Sequence, residues 1–541
     1  MHPIRRASAG ARRGVGALLA WLALTGVAHA DPAAIIQARV GQLLNGNEVK
    51  LAGATLASTV VLPAFYERRD FKLAWSDPIN VEALLAAVQD SAADGLRPED
   101  YHLAALQALR GAAASEQRDA DFDLLATDAL IRLGYHLRFG KIDVARIDPD
   151  WNFRPDYEAV LFIAPVTVIQ EALERRRVRE TLDALRPNHP LYTALRTALV
   201  RYRAIQAAGG WPSIAKGDSI RPGATDARVP VLRARLLAEG DLAPDAPDSG
   251  KVHDETLQAA VRAFQLRHGL TQDGAVGGKT RRTLNVPVQA RIDQLRLSLE
   301  RARLIMHDLP ERFVVVNVPA FRLYYVREGS VQFATNVVVG NIMAKTPIFR
   351  ADMTYIVLNP TWTVPPTVLE HDILPGLESD PKYLERKGLE KVGGQYVQAP
   401  GPNNALGRIK LMFPNPHFVY LHDTPQKSLF ERESRTFSHG CVRVQNVFDL
   451  AELVLDDPQH WSKAKLLKAI ETGKTQTITL EHRVPVLVAY WTAGVSPDGR
   501  AFFYDDVYGR DPAELQALNG TFHFHPAARS SAVGAAPSIQ R

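Results

Sequence analysis

The texture of the chain changes at Phe313. Upstream, apolar residues recur at helical spacing, as in Ala126, Leu130, Leu133 and Leu137, or Leu84, Leu85 and Val88, the period of one face of an α-helix. Downstream, FVVVNVP, FRLYYVREGSVQFATNVVVG and TYIVLNPTWTVP are runs of β-branched and aromatic residues, with a hairpin turn at Glu328-Gly329. A chain of 541 residues is too long for one core. The switch therefore predicts a multidomain α+β protein, with a helical part followed by a mainly-β part.

Residues 1–30 stand apart. Arg5, Arg6, Arg12 and Arg13 precede a short apolar run, ALLAWLALTGVA, and Ala28-His29-Ala30 is a small-x-small cleavage site. This is the pattern of a secretory signal peptide, too short for a comfortable membrane span. Its removal would take the net charge from +5 to +1. The basic balance is then partly an export signal, and no basic stripe with interleaved aromatics points to nucleic acid. Contact with the membrane is expected only through the cleaved signal, with the mature chain outside the cytoplasm.

Residues 31–212 read as a helical scaffold punctuated by turns at Asp94-Gly95, Gly140-Lys141, Arg186-Pro187 and Gly209-Gly210. Tyr66, Trp75, Tyr101 and Trp151 read as packing anchors in it. Residues 213–287 form a smaller helical unit, with a helix at Val231–Leu237, a second beginning after an N-cap at Asp254, and a third from near Thr280. A helix over 288–308, with Ile292, Leu295, Leu299 and Ala302 on one side, is expected to pack back on the scaffold. Residues 312–525 form the β-rich domain. Within it, 371–415 is polar and too long for a simple connection, which marks a lid or capping insertion. The small, polar 526–541 segment reads as a disordered tail.

The chemistry concentrates in FVYLHDTPQKSLFERESRTFSHGCVRVQN, which holds the single cysteine, Cys441. A lone thiol in an exported chain has no internal disulfide partner and is a candidate reactive group. His422 closes a strand-like run, PHFVYLH, on the same face as Phe418 and Tyr420, with His417 on the other. An imidazole that takes the thiol proton makes the thiolate nucleophile. Gly440 and the Cys441 amide are candidate donors to an oxyanion, and Asp423, by backbone or side chain, is placed to orient the His422 ring. Two blander readings stand beside this one. The cysteine is a small buried hydrophobe, or it ligates zinc with His439 and His422, for which His417 and His371 are the further candidates.

Two stretches resemble known families. AVRAFQLRHGLTQDGAVGGKT, with F-Q-x-x-x-G-L, D-G and G-x-x-T in order, resembles the peptidoglycan-binding type 1 domain, a three-helix wall-binding module. HDTPQKSLFERESRTFSHGCVRVQN resembles the signature of the L,D-transpeptidase (YkuD) catalytic domain, a β-sandwich-like fold, with fifteen residues between His422 and Ser438 before S-H-G-C-x-R. The order of export signal, scaffold, wall-binding module and catalytic domain is similar to that of large periplasmic L,D-transpeptidases of Gram-negative bacteria.

The resemblance implies an enzyme without cofactor or metal. Cys441 is its nucleophile and His422 its general base and later acid, with His439 and Gly440 shaping the turn and Arg443, Ser438 and Tyr420 at the substrate. Arg443 has an alternative as a structural salt bridge. The implied substrates are peptidoglycan stem peptides, a tetrapeptide donor and an amine acceptor, joined in 3→3 cross-links with loss of D-alanine. The implied location is the periplasm, beside cell-wall synthesis partners, with carbapenems as acylating agents of the thiol. An L,D-carboxypeptidase, another cysteine acyl-transfer enzyme such as a sortase or wall endopeptidase, and an inactive wall-binding scaffold remain as alternatives.

Overall fold

The computed structural model describes residues 31–153 and 164–521. The expected signal peptide and the 526–541 tail lie outside them.

The N-terminal part is a helical assembly around the Glu116–Phe139 helix. Ser115 caps it by accepting from the Arg118 amide, and Ala126, Leu130, Leu133 and Leu137 are buried. Two buried acids on this helix organise the loops around it. Asp128 accepts from the amides of Ala57 and Ser58 and pairs with His102 at 2.7 Å, while Asp123 accepts from Ala74, Trp75 and the Tyr66 hydroxyl. Polar loops can therefore pack on an apolar core because their amides find acceptors there.

The small helical unit has its own core of Leu232, Leu236, Leu257, Val261, Phe264 and Leu284. Its helices span Val229–Glu239, Glu255–Arg267 and Gly278–Leu284, and Asp254 caps the second by accepting from the Leu257 amide.

Helix Val288–Ile305 is the spine of the molecule. Its apolar side carries Ile292, Leu295, Leu299 and Ala302, all buried, and it packs against helix Pro190–Ala207. The opposite side is buried too, and it is charged. Arg303 bonds Glu300 at 2.5 Å, the Asp94 carbonyl at 2.6 Å and the Tyr192 hydroxyl at 3.0 Å. Glu300 in turn accepts from the amides of Lys141 and Ile142. Toward the β domain, Arg301 donates to Glu514 and Asp511, each at 2.8 Å, and Ser298 accepts from the Ala493 amide. A helix held between two partners has no solvated face, so its polar residues become the joints.

The β domain is one sheet of nine strands: β1 (Arg312–Asn317), β2 (Arg322–Arg327), β3 (Ser330–Gly340), β4 (Phe349–Leu358), β5 (Ile409–Met412), β6 (Leu421–His422), β7 (Thr436–Ser438), β8 (Val442–Val444) and β9 (Gln476–Ala489). Their order is β7-β3-β8-β6-β5-β4-β9-β1-β2, and β2 also pairs with β3, so the sheet closes on itself and β7 lies outside the ring. The β2–β3 turn falls at Glu328 and Gly329, both at positive φ, the geometry of a tight hairpin. Helix Val447–Leu455 follows β8.

Two expectations are refined. The polar 371–415 stretch, expected as a lid or capping insertion, carries helices and strands of its own. Trp362–Thr363, Leu389–Val392 and Gln395–Gln398 form a separate three-stranded sheet, joined by short helices from Pro366 to Lys387. Val364, Val368, Ile373 and Leu389 give this capping element its own small core, which polar composition masked. The strand expected across PHFVYLH is also shorter, because Phe418 adopts φ of +54° and the Asn415 side chain ties up the His417 and Val419 amides. Only Leu421 and His422 join the sheet.

Arg303→Met would leave Glu300 buried without its cation, a loss of about 3–5 kcal/mol. Urea unfolding followed by circular dichroism should show a lower midpoint, largely recovered in Glu300→Leu/Arg303→Met. An unchanged midpoint in the single variant would remove the spine pair from the account of stability.

Candidate active site

Three neighbouring strands bring the site together. His422 on β6 stands opposite Lys410 on β5 and opposite Arg443 on β8, so these three side chains share one face of the sheet. Leu411, Leu421, Val442 and Val444, out of phase with them, fill the interior. Cys441 immediately precedes β8 and keeps part of its surface open.

The turn that presents Cys441 is held by side chains on both sides. Ser438 is buried, and its hydroxyl donates to the Cys441 carbonyl at 2.5 Å while accepting from the Gly440 amide at 3.2 Å. Gly440 has φ of +106°, a backbone that side-chain-bearing residues rarely adopt. Its carbonyl accepts from the Thr346 hydroxyl at 2.8 Å, and the same hydroxyl accepts from the Gly340 amide. Tyr508 completes the brace, accepting from the Thr346 amide and donating to the Gly340 carbonyl. His439 points away from the thiol, with Nε2 3.3 Å from Asp372 of the capping element.

These contacts bear on two of the expected roles. Ser438 builds the turn, its hydroxyl being spent on the Cys441 carbonyl and the Gly440 amide. The Gly440 amide is not an oxyanion donor, since Ser438 occupies it. The Cys441 amide has no hydrogen-bond partner among the described residues.

Around the sulfur, the Phe418 carbonyl lies 3.7 Å away, and the Tyr420 hydroxyl and backbone also contact it. Lys410 Nζ sits 4.0 Å from the Tyr420 ring centroid. Burial pushes the Cys441 thiol up, opposed by the Tyr420 contacts and by the charges of Lys410 and Arg443. Burial also pushes the Tyr420 hydroxyl up, with Cys441 adding to the shift, so the phenol stays protonated as a donor. Arg443 has no acidic partner among the described residues. It donates to the neutral Gln426 at 2.8 Å, which sets aside its reading as a loop salt bridge. Burial pulls both Arg443 and Lys410 down.

His422 is buried, and Nδ1 meets the Asp423 carbonyl at 2.5 Å. A carbonyl only accepts, so Nδ1 carries the hydrogen and Nε2 keeps the lone pair. The backbone of Asp423 orients the ring, while its carboxylate accepts from the Arg408 amide and pairs with Lys427. Gly407 packs so closely on Asp423 that a Cβ there would lie 2.4 Å from it. Burial, then the charge of Arg443, push the His422 imidazole down to about 3. No His422–Sγ hydrogen bond is present among the described residues. The imidazole reaches the thiol's surroundings through Tyr420, whose ring it meets edge-on at 5.6 Å. The resting pair is thus a thiol and a neutral imidazole.

Sequence reasoning missed Lys410, Thr346 and Tyr508. Lys410 had a local signal, a cation alternating with the apolar residues of IKLM. Thr346 and Tyr508 are 162 residues apart and meet only through the closed sheet. The histidines weighed as metal ligands are placed otherwise. His417 packs on Phe349 and faces Asp150 at 3.8 Å, His371 lies on the capping element, and no group of three or more potential ligands occurs among the described residues.

Fold and site together define a domain with a closed sheet that presents a single thiol, and comparison with known proteins specifies it. Residues 311–504 match the YkuD family, the L,D-transpeptidase catalytic domain. Residues 225–284 match the "Putative peptidoglycan binding domain" family and residues 61–199 the "Scaffold domain" family. The chain thus carries a YkuD L,D-transpeptidase catalytic domain together with a peptidoglycan-binding type 1 domain, and these domains imply a place outside the cytoplasm at the cell wall. A protein of Haemophilus influenzae named "Putative L,D-transpeptidase" is 29% identical over 218 residues, 37% of this chain and 44% of that protein. The chain therefore spans less than half the length of that relative. Among solved structures, an L,D-transpeptidase from Mycobacterium smegmatis is 14% identical, with TM-score 0.19, over 33% of this chain and 58% of that one. One from Stackebrandtia nassauensis is 15% identical, with TM-score 0.22, over 51% and 96%. No helix among the described residues is long and apolar enough to cross a membrane.

With burial raising the thiol, alkylation of Cys441 by neutral iodoacetamide should be slow at neutral pH, with a midpoint above that of a free cysteine, about 8.5. Lys410→Met should move the midpoint higher still, because it removes a cation that favours the thiolate. A plateau below pH 8 would contradict this reading of the resting site.

Proposed function

We propose that the protein is an L,D-transpeptidase that forms 3→3 cross-links through a cysteine thioester. The observation that carries this reading is the single thiol, presented with a free backbone amide between two acid-free cations, Lys410 and Arg443, inside a YkuD domain.

Cys441 Sγ attacks the carbonyl of the third residue of a tetrapeptide stem. The thiol proton passes to Nε2 of His422, whose Nδ1–H is held by the Asp423 carbonyl. This step requires the imidazole to close on the thiol when substrate fills the site, since catalytic hydrogen bonds often tighten only in the complex. The Cys441 amide donates to the developing oxyanion, and the Tyr420 hydroxyl stands beside it. The C–N bond to the terminal D-alanine breaks, its amine takes the proton back from His422, and a thioester remains. An amine of a second stem then attacks the thioester, forming the new amide and releasing the thiol. The exchange conserves the energy of the broken amide and needs no nucleotide. Arg443 is suited to a stem carboxylate. The capping element, tied to the turn through His439 and Asp372, is suited to exclude water from the thioester.

This reading carries with it an exported, periplasmic protein that meets its donor and acceptor stems in the wall. An L,D-carboxypeptidase would use the same acyl-enzyme with water as acceptor. Incubation of the full chain with purified tetrapeptide muropeptides, read by mass, separates the two. The expected products are cross-linked dimers that have lost one alanine, absent with Cys441→Ala. Shortened monomers without dimers would assign hydrolysis, and dimers persisting in Cys441→Ala would remove the thiol from the mechanism. Intact-protein mass should also show a carbapenem adduct that Cys441→Ala cannot form.

A further inference from the structure

Where the small helical unit meets the outer face of the sheet, away from the Cys441 turn, lies a cavity of about 900 Å³. Leu270 of the unit forms one wall, Arg322 and Tyr324 of β2 a second, and Arg435, just before β7, a third, with Trp491 and Tyr504 behind.

The cavity is charged without being neutralised. Arg322 donates to the neutral oxygen of Asn336 at 2.9 Å. Arg435 lies over the Phe321 ring, 5.6 Å from its centroid, with Nε and Nη1 buried and unbonded. Among the described residues neither arginine has an acidic partner. The nearby acids do not serve them. Glu433 accepts from Thr271 at 2.6 Å and pairs with Lys279 at 2.9 Å, and exposed Glu431 stands beside exposed Arg432 at the rim. Burial and the charge of Arg322 push the Arg435 guanidinium down, as two like charges in a partly dry site must. Holding them together costs free energy that an anion would return. The remaining walls are largely apolar, with Leu270, Val315, Tyr324, Trp491 and Tyr504 among them, and the Trp491 indole N–H is buried without a partner.

We infer that this cleft binds peptidoglycan through free carboxylates of its stem peptides, with Arg322 and Arg435 as the anion clamp and the apolar walls seating uncharged parts of the strand. The inference rests on the cell-wall reading above and deepens it, placing a wall contact between the module and the catalytic sheet and not on the module alone. A clamp here holds the polymer while the thiol works on a stem elsewhere on the same domain.

The test uses full-length protein with Cys441→Ala, which binds without turnover, sedimented with purified sacculi. Adding Arg322→Gln and Arg435→Gln should weaken binding about tenfold or more, as expected for the loss of charge-assisted hydrogen bonds, and flatten its dependence on salt. Sacculi whose carboxylates have been amidated should lose the same binding with the arginines intact, a result independent of any variant's folding. Glycan strands stripped of peptides should bind both proteins equally and weakly. Equal retention of both proteins by untreated sacculi, or undiminished binding to amidated sacculi, would overturn the clamp. Because binding is read without chemistry, a failed transpeptidase assay leaves the result standing. Conversely, the double arginine variant with Cys441 intact should still form an acyl-enzyme with a soluble tetrapeptide if only the clamp is lost.

Discussion

The buried pair of Arg303 and Glu300 is the interaction on which the rest of the architecture depends. Both side chains are fully enclosed, and an enclosed charge is tolerated only when every neighbour is placed to answer it. Here the answers come from the Asp94 carbonyl, the Tyr192 hydroxyl and the amides of Lys141 and Ile142. On another side of the same helical turn, Arg301 makes the equivalent demand of Asp511 and Glu514 in the β domain. Apolar surfaces would hold three domains together in many arrangements. Paired charges on a shared helix are satisfied in few, so the spine fixes how scaffold and sheet meet.

A second chain of polar contacts carries that arrangement to the site. Thr346 and Tyr508 brace the Gly440 turn from strands and loops far apart in sequence. The Tyr508 amide donates to Tyr490, Tyr490 donates to Asp506 at 2.5 Å, and Asp506 accepts from Arg510, which also pairs with Asp148 of the scaffold. The turn that presents the thiol is thus bonded, link by link, to the helical domain. The capping element touches the same turn from the other side through His439 and Asp372, where a single ion pair at a half-open surface is weak and easily broken.

The electrostatics of the site are those of a resting nucleophile. Burial keeps the thiol protonated and the imidazole neutral, so no thiolate stands exposed to oxidants outside the cytoplasm. Lys410 and Arg443 favour the thiolate, but at rest they do not outweigh desolvation.

Much of this was legible before any coordinates. The helical spacing of Ala126, Leu130, Leu133 and Leu137, the cap at Asp254 and the turn at Glu328-Gly329 are local, and local preferences survive into the fold. The S-H-G-C motif marked the thiol for the same reason: its geometry is set within a few residues. The core of the capping element was not legible, because Val364, Val368, Ile373 and Leu389 are thinly spread through a polar stretch and cluster only on folding. Nor was the shortened strand at His422, which a side chain at Asn415 and a left-handed Phe418 interrupt. By itself the sequence determined the elements, the candidate thiol and the families it resembles. Only the tertiary structure decided that Ser438 builds the turn, that the Asp423 backbone and not its carboxylate holds His422, and that Lys410, Thr346 and Tyr508 belong to the site. Those contacts join residues distant along the chain, and closure of the sheet is what makes them neighbours.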